Sequence, residues 1–235
     1  MSPLPTIGLY PIRGVIQCCH LLVDANRQAV LIDTGLIGEF YLLRRLLRRL
    51  DLKPEAIQAI LLTHGHLDHT SNLAAIREWT GAPLYAHPDE QRHIDGTYPY
   101  QGAARWCGRM ESIGRTILRY RSVPIDHAIQ DGVSLPFWGG LQVIHLPGHT
   151  AGHCGFYSAS HDLLFSGDLF ASYFFSVHPP PPILNSESER LLQSFARVAK
   201  LNPRWILPNH YDWPNPELHR RRFTALQKRE NKSSR

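Results

Sequence analysis

The chain has 235 residues, 43% of them hydrophobic and 19% charged, which suits one large domain with a real core and excludes a disordered or fibrous class. A net charge of +5 with histidine neutral is only mildly basic. Much of it sits in Arg44–Arg49 and in the tail from His219, and solvated helix faces account for such charge more commonly than an anionic partner does. The N-terminus has no apolar run after a basic stretch, so no secretory signal is read there. No window approaches the roughly eighteen apolar residues of a membrane span. Cys18, Cys19, Cys107 and Cys154 make no CxxC pair and read as buried free thiols, and the expected location is cytoplasmic.

In chain order, Val15–Asp24 and Ala29–Gly35 are apolar runs separated by a short polar turn, which predicts a hairpin. Leu42, Leu43, Leu46, Leu47 and Leu50 recur at helical spacing with arginines opposite. Ala56–Thr63 reads as a buried strand ending at His64. A helix follows, capped at Thr70 or Ser71 and stopped by Gly81, and then a strand over Ala82–His87. From about 88 to 124 the strand pattern lapses into short helical pieces, Arg109–Tyr120 among them, and this segment reads as a helical insertion in a single domain spanning 1–235. Strands resume at Leu141–Leu146, His153–Ser158 and Asp162–Gly167. An amphipathic helix over Ser186–Lys200, capped by Ser186 or Ser188, precedes a last strand at Arg204–Pro208. Strands and helices thus recur in two similar halves, and two packed sheets with helices outside accommodate them.

Fourteen histidines are many for this length, and three of them crowd with an aspartate into His64-Gly65-His66-Leu67-Asp68-His69. In an extended segment residues i and i+2 face one way, so His64 and His66 can aim at one point. Asp68 and His69 lie on the turn beyond and suit a second, adjacent point. The cluster is incomplete alone, and polar residues at other predicted strand ends are its candidate partners. They are Asp33 in "LIDTG", His149 in "HLPGHT", Asp168 in "FSGDLF" and His210 in "ILPNHY". Imidazole and carboxylate donors in this number suit zinc or a similar transition metal.

Taken together and in this order, "LIDTG", "THGHLDH", "PGHT", "SGD" and "PNH" make the chain resemble the metallo-β-lactamase superfamily over most of its length. The resemblance implies an α/β fold, an αββα sandwich of two mixed β-sheets flanked by helices, with a dinuclear metal site at one edge. It implies that His64, His66 and His149 bind a first metal, that Asp68, His69 and His210 bind a second, and that Asp168 bridges the two. Asp33 would orient a ligand rather than bind metal. Two Zn²⁺ per chain are expected, with Fe or Mn as substitutes. Asp68 and Asp168 would carry the catalysis, by which two nearby cations share a hydroxide that attacks the substrate. The expected activity is hydrolysis of an ester, thioester or lactone.

Several departures narrow the branch. Exported two-zinc β-lactamases often place cysteine at the position of Asp168, so antibiotic hydrolysis is not the expectation. Only about 25 residues follow His210, so the glutathione-binding helical region of glyoxalase II-like thioesterases is absent or minimal. Flavodiiron relatives carry glutamate where His66 stands. Asn209 and Tyr211 flank His210 where many relatives have glycine. A nuclease or phosphodiesterase, a mononuclear-iron persulfide dioxygenase and a non-catalytic metal-binding module are the alternatives. The length leaves little room for nucleic-acid-gripping domains, so the expected partner is a small molecule, with no membrane. Oligomeric state is open.

Arg105 and Arg109 in the insertion are candidate contacts to an anionic substrate group, against the plainer reading of a solvated helix face. Tyr173, Phe174 and Phe175 either line an acyl pocket or join the core, and Tyr211 puts a ring near the metal edge. The prolines Pro179–Pro182 read as a stiff connector. His153 reads as a structural, hydrogen-bonding histidine rather than a ligand, and His145 as packing or surface. His20, His87, His93, His127, His161, His178 and His219 default to surface or loop.

Overall fold

The protein is described from a computed structural model, which covers residues 4–173 and 176–233. The first sheet follows chain order. β1 (Leu9–Arg13), β2 (Cys18–Val23) and β3 (Ala29–Ile32) run antiparallel, and β4 (Ile57–Leu61), β5 (Leu84–Ala86) and β6 (His127–Ala128) continue in parallel from β3. The predicted hairpin is β2–β3. β1 eluded the sequence reading because Pro11 interrupts its pattern; as the edge strand it needs no ladder bond on its outer side, and proline is tolerated there.

Parallel neighbours require crossovers, and helices supply them. α1 (Glu39–Arg49) links β3 to β4, and buries Leu43, Leu46 and Leu47 while Arg44, Arg45, Arg48 and Arg49 stay exposed. α2 (Leu67–Thr70) and α3 (Leu73–Thr80) link β4 to β5. α4 (Gln91–Ile94) and α5 (Arg105–Ile117) occupy the predicted helical segment between β5 and β6.

The second sheet has the order β13-β10-β9-β8-β7, from β7 (Ser134–Leu135), β8 (Leu141–His145), β9 (Cys154–Ser158), β10 (Leu163–Gly167) and β13 (Trp205–Pro208). β10 and β13 pair in parallel and the rest antiparallel, so this sheet is mixed too. β11 (Ala171–Tyr173) and β12 (Ser176–His178) pair as a separate two-stranded sheet; Phe174 and Phe175 lie outside the described residues. α6 (Leu191–Leu201) precedes β13, and α7 (Pro216–Ser233) follows it.

Three apolar layers hold the sandwich. Leu22, Ile32 and Leu61 of the first sheet meet Val143, Phe156 and Phe165 of the second in the central layer. Leu31, Leu43, Leu47 and Leu73 pack α1 and α3 on the outer face of the first sheet. Leu164, Phe195, Ile206 and Phe223 pack α6 and α7 on the outer face of the second. Each such side chain contributes about 1.5–3 kcal/mol when fully buried. The expected αββα sandwich of two mixed sheets is the observed fold. Most of the basic tail from His219 lies in α7, which Phe223 and Leu226 hold to the core. No helix among the described residues is long and apolar enough to cross a membrane.

Two expected helix caps are absent. Thr70 Oγ1 donates back to the His66 carbonyl and Ser71 Oγ to that of Leu67, so α3 begins at Leu73 instead. α6 begins at Leu191, and Ser186 spends its amide and hydroxyl on the His149 carbonyl. In both places a serine or threonine that resembles a cap is drawn toward a loop holding one of the clustered histidines.

Candidate metal centre

The strands β3, β4, β8, β10 and β13 all release their chains at one edge of the sandwich, and each release carries a polar side chain. Asp33 follows β3, His64 follows β4, His149 follows β8, Asp168 follows β10 and His210 follows β13. Two backbone bonds tie the sheets together here. The Cys154 amide donates to the Thr63 carbonyl over 2.8 Å, and the Cys18 amide to that of Asn209 over 2.8 Å.

Two groups of donors converge at this edge. The ligand atoms of His64, His66 and His149 form one, those of Asp68, His69, Asp168 and His210 the other, and within each all lie within 4.8 Å of one another. Asp168 stands between them. Its Oδ2 is 3.5 Å from His149 Nε2 and 3.9 Å from His64 Nε2, and also 3.0 Å from His210 Nε2; its Oδ1 is 3.5 Å from His69 Nε2. Asp68 Oδ2 lies 3.6 Å from His69 Nε2 and 3.4 Å from His210 Nε2. An ion bonded tetrahedrally at about 2.0–2.2 Å sets its ligand atoms roughly 3.3–3.6 Å apart, so these separations suit a metal.

Buried polar atoms are normally hydrogen-bonded, yet His64 Nε2, His69 Nε2 and Asp168 Oδ1 are buried here with no hydrogen-bond partner. All three point into the cluster. Orphaned donors of this kind, in a set of imidazoles and carboxylates, fit transition-metal ions.

The opposite ring nitrogens explain how the histidines are aimed. Thr63 Oγ1 donates to Asp33 Oδ2 over 2.8 Å and so accepts from His64 Nδ1 at 3.1 Å. His69 Nδ1 meets the same Asp33 Oδ2 at 3.1 Å, His149 Nδ1 meets Asn185 Oδ1 at 2.9 Å, and His210 Nδ1 meets the Ile16 carbonyl at 2.8 Å. Each contact places a proton on Nδ1 and turns Nε2 toward the cluster. His66 is turned the other way, its Nδ1 lying 2.9 Å from His149 Nε2. Burial pushes His149 down to about 3 and His66 to about 4, so both stand neutral, as a ligand must. Burial would also lower His69 and His210, but the carboxylate of Asp168 above all outweighs it and holds both well above the usual histidine range.

The residue between His64 and His66 has to be glycine. A Cβ on Gly65 would lie 2.6 Å from His93 Cβ and 3.0 Å from backbone atoms of Glu90 and Ile94, where α4 closes over the loop. Gly148, before His149, has a φ of +142°, and a Cβ there would strike the backbone of Leu191.

Several positioning residues carried no sequence signal. Fully buried Glu90 accepts from the Gly65 amide over 2.6 Å and the Gly152 amide over 2.8 Å, and so joins the two histidine loops. Burial lifts its carboxyl to about 7 against those bonds. Glu90→Gln sets an amide N–H against one of the two backbone amides. It is expected to cost about 1–3 kcal/mol and to lower Tm by roughly 3–8 °C in a melting experiment. Asn185 and Thr63, described above, were equally silent. His153 is structural as expected: its Nδ1 is 2.9 Å from the Leu146 carbonyl, and its Nε2 accepts from the Asp168 amide over 2.9 Å.

Other expectations fare differently. Tyr211 is buried in the central layer beside His20 rather than at the cluster, in the segment after β13 that bridges to Ser172 of β11. His20, His93 and His219 are likewise buried rather than at the surface. His20 packs on Phe165, His93 stacks on Tyr98, and His219 bonds Ser172 Oγ and the Trp213 carbonyl. Tyr173 reaches only the outer side of His210, its hydroxyl 3.0 Å from the Nδ1 that is turned from the cluster, and it does not line the cleft over the cluster. Arg105 and Arg109 do not approach the cluster. They line a separate cleft of about 580 Å³ with Tyr98 and Tyr100, because helical spacing turns them away from the face of α5 that overhangs the cluster.

That face presents Cys107, Met110 and Glu111 to a cleft of about 320 Å³, whose floor is His66, Asp68, His149, Asp168 and His210. Ile16, Leu36, Leu67 and Leu184 complete its walls, and no lysine or arginine lines it among the described residues. Glu111 fastens α5 in place by accepting from the Leu67 amide over 2.8 Å.

Comparison with known proteins agrees with this geometry. The hydroxyacylglutathione hydrolase GloC of Haemophilus influenzae is 28% identical over 164 residues, which cover 69% of this chain and 71% of that one. The chain spans 64% to 71% of the length of the curated metallo-hydrolases it matches first. Among solved structures, a metallo-beta-lactamase family protein of Thermus thermophilus shares the fold, with a TM-score of 0.75 over 98% of this chain and 81% of that one at 24% identity. Another, TTHA1623, solved in a di-iron-bound form, gives 0.66 over 90% and 97% at 29% identity. The model of the metallo-beta-lactamase superfamily matches residues 13–210, the stretch that runs from the first strand to the last clustered histidine, and the chain belongs to that superfamily.

Proposed function

We propose that this metallo-hydrolase cleaves a carboxylic ester, thioester or lactone of a small-molecule substrate, with two zinc ions at the strand-end cluster. His64, His66 and His149 would hold one ion, Asp68, His69 and His210 the other, and Asp168 would touch both. The observation that carries this reading is that two donor groups meet at Asp168, with His64 Nε2, His69 Nε2 and Asp168 Oδ1 left without a partner, on the floor of a largely apolar cleft that no cation lines among the described residues. A phosphodiester would call for basic side chains along its backbone. The likeness to GloC, whose name denotes a thioester substrate, supports the acyl class.

Bound cations would supply an activated water and a Lewis acid for the carbonyl. The protein's own groups do the rest. Asp68, at the cleft and partly open to solvent, is placed to take a proton from the attacking water and return it to the leaving group. His153 holds the Asp168 backbone, and Asn185, Ile16 and Asp33 keep the imidazoles aimed, so the site need not reorganise during the reaction. Apolar walls seat the acyl part and exclude bulk water.

The test is metal quantification on the purified protein with turnover on a mixed ester, thioester, lactone and phosphodiester panel. Zinc near two per chain with acyl hydrolysis is expected. Iron near one per chain with oxygen consumption would overturn the reading, as would phosphodiester cleavage alone. Iron and manganese are counted beside zinc because a structural neighbour is known in a di-iron form.

A further inference from the structure

The cleft does not end at its walls. On α5, Trp106, Met110, Ile113 and Ile117 recur at helical spacing, so they share one face. They are between 61% and 74% exposed, and Met110 also lines the cleft. The other apolar wall segments repeat this. Val15 stands exposed beside Ile16, Ile37 beside Leu36, and Ile183 beside Leu184. Of the twelve large hydrophobic residues exposed among the described residues, eight belong to these four segments. Scattered exposed hydrophobics need no explanation, but a concentration in the four segments that wall one cleft does.

The stripe is also rigidly placed. Leu67 packs against Gly114, Glu111 holds the Leu67 amide, and α5 packs on the Pro182–Leu184 turn. An apolar path therefore runs from the metal cluster, past Met110, out along α5 towards Ile113.

We infer that this path is an acyl-chain subsite, and that the substrate carries a linear aliphatic chain running from its reacting carbonyl along α5. The inference rests on the acyl-hydrolase reading of the cluster. Its occupant is a chain of a single dissolved substrate molecule, because the apolar surface is continuous with the cleft floor where a carbonyl would sit, and because no cation lines that cleft to hold an anionic tail. The arginines of α5 that line a cleft, Arg105, Arg109 and Arg115, line the adjoining one, on the other side of Glu111, which both clefts share.

The experiment is calorimetric binding of methyl alkyl ketones, from hexanone to dodecanone, to the metal-loaded protein. Ketones are not hydrolysed, so the readout is independent of turnover. Affinity is expected to rise about twofold or more per methylene, short of the roughly fourfold of complete burial. Met110→Asp and Ile113→Asp should flatten that rise, while Leu192→Asp, on an exposed apolar site of α6, should keep it. A flat series in the unaltered protein overturns the inference, as does the same rise in both rim variants. So does a stripe that binds neutral phosphatidylcholine vesicles or a second copy of the chain, by sedimentation, without any dependence on ketone length. If the ketones show the rise but no acyl substrate is turned over, the hydrolase reading falls and the subsite stands.

Discussion

Asp168→Ala is expected to lose metal from both positions and to lose hydrolysis with it. The reason is geometric. Oδ2 lies within 4 Å of Nε2 of His64, His149 and His210 at once, and Oδ1 faces His69. Burial alone would raise this carboxyl, but the neighbouring His210 and His69 outweigh it, so it stays ionised. An ionised carboxylate in a buried cluster is tolerable only when opposite charge surrounds it. Alanine removes the negative charge that makes two adjacent cations tolerable. Activity should fall by more than the ~10²–10³-fold that loss of one preorganised donor costs. Asp168→Asn is the control for folding. It keeps shape and backbone, including the amide that donates to His153. It should retain the native circular dichroism spectrum yet bind less than the full metal complement by atomic emission. Full activity in either variant would refute the bridging role.

The clustering of these donors was legible in the sequence because imidazoles and carboxylates suited to a metal stand at strand ends, and strand ends are marked by an apolar run that stops. His149, Asp168 and His210 each sit just past such a run. What aims the ligands was not legible. Asn185 and Glu90 act through contacts to loops distant in sequence, and nothing in their own stretches of sequence marks them. The fold followed similar lines. Long periodic segments such as α1 were clear, whereas β6 and β7, two residues each, are too short to show a period. Tyr211 was misplaced because the residue after a ligand was taken to share its direction. His210 faces the cluster, whereas Tyr211, bridged to Ser172, turns into the core. The face of α5 over the cluster was not legible either. Its arginines stand out in the sequence, but helical phase puts Met110 over the cluster and leaves Arg105 and Arg109 to the adjoining cleft.

Asp33 gives the second large effect, although it touches no candidate metal position. Its carboxylate is fully buried and accepts four bonds. The Thr63 amide donates to Oδ1 over 2.8 Å; Thr63 Oγ1, His69 Nδ1 and Asn209 Nδ2 meet Oδ2 at 2.8, 3.1 and 2.6 Å. Through Thr63 it aims His64 in one donor group, and directly it aims His69 in the other. One carboxylate thus sets the imidazole direction on both sides of Asp168. Its φ of +59° suits only a residue that tolerates the left-handed region, which asparagine does. Asp33→Asn therefore fits the backbone, but its amide must turn N–H toward either the Thr63 amide or the three donors at Oδ2. The lesser conflict loses the Thr63 amide bond and weakens the rest, so it should cost about 1–3 kcal/mol. Metal affinity should fall by about 10–100-fold, as removal of a ligand-orienting partner commonly does. Asp33→Ala strands all four donors and should cost more, about 3–5 kcal/mol, which corresponds to a Tm lower by roughly 10 °C or more. Competition with a chelator reads the affinity and a melting curve reads the stability. Unchanged metal affinity in a folded Asp33→Asn would show that the imidazoles are aimed without it.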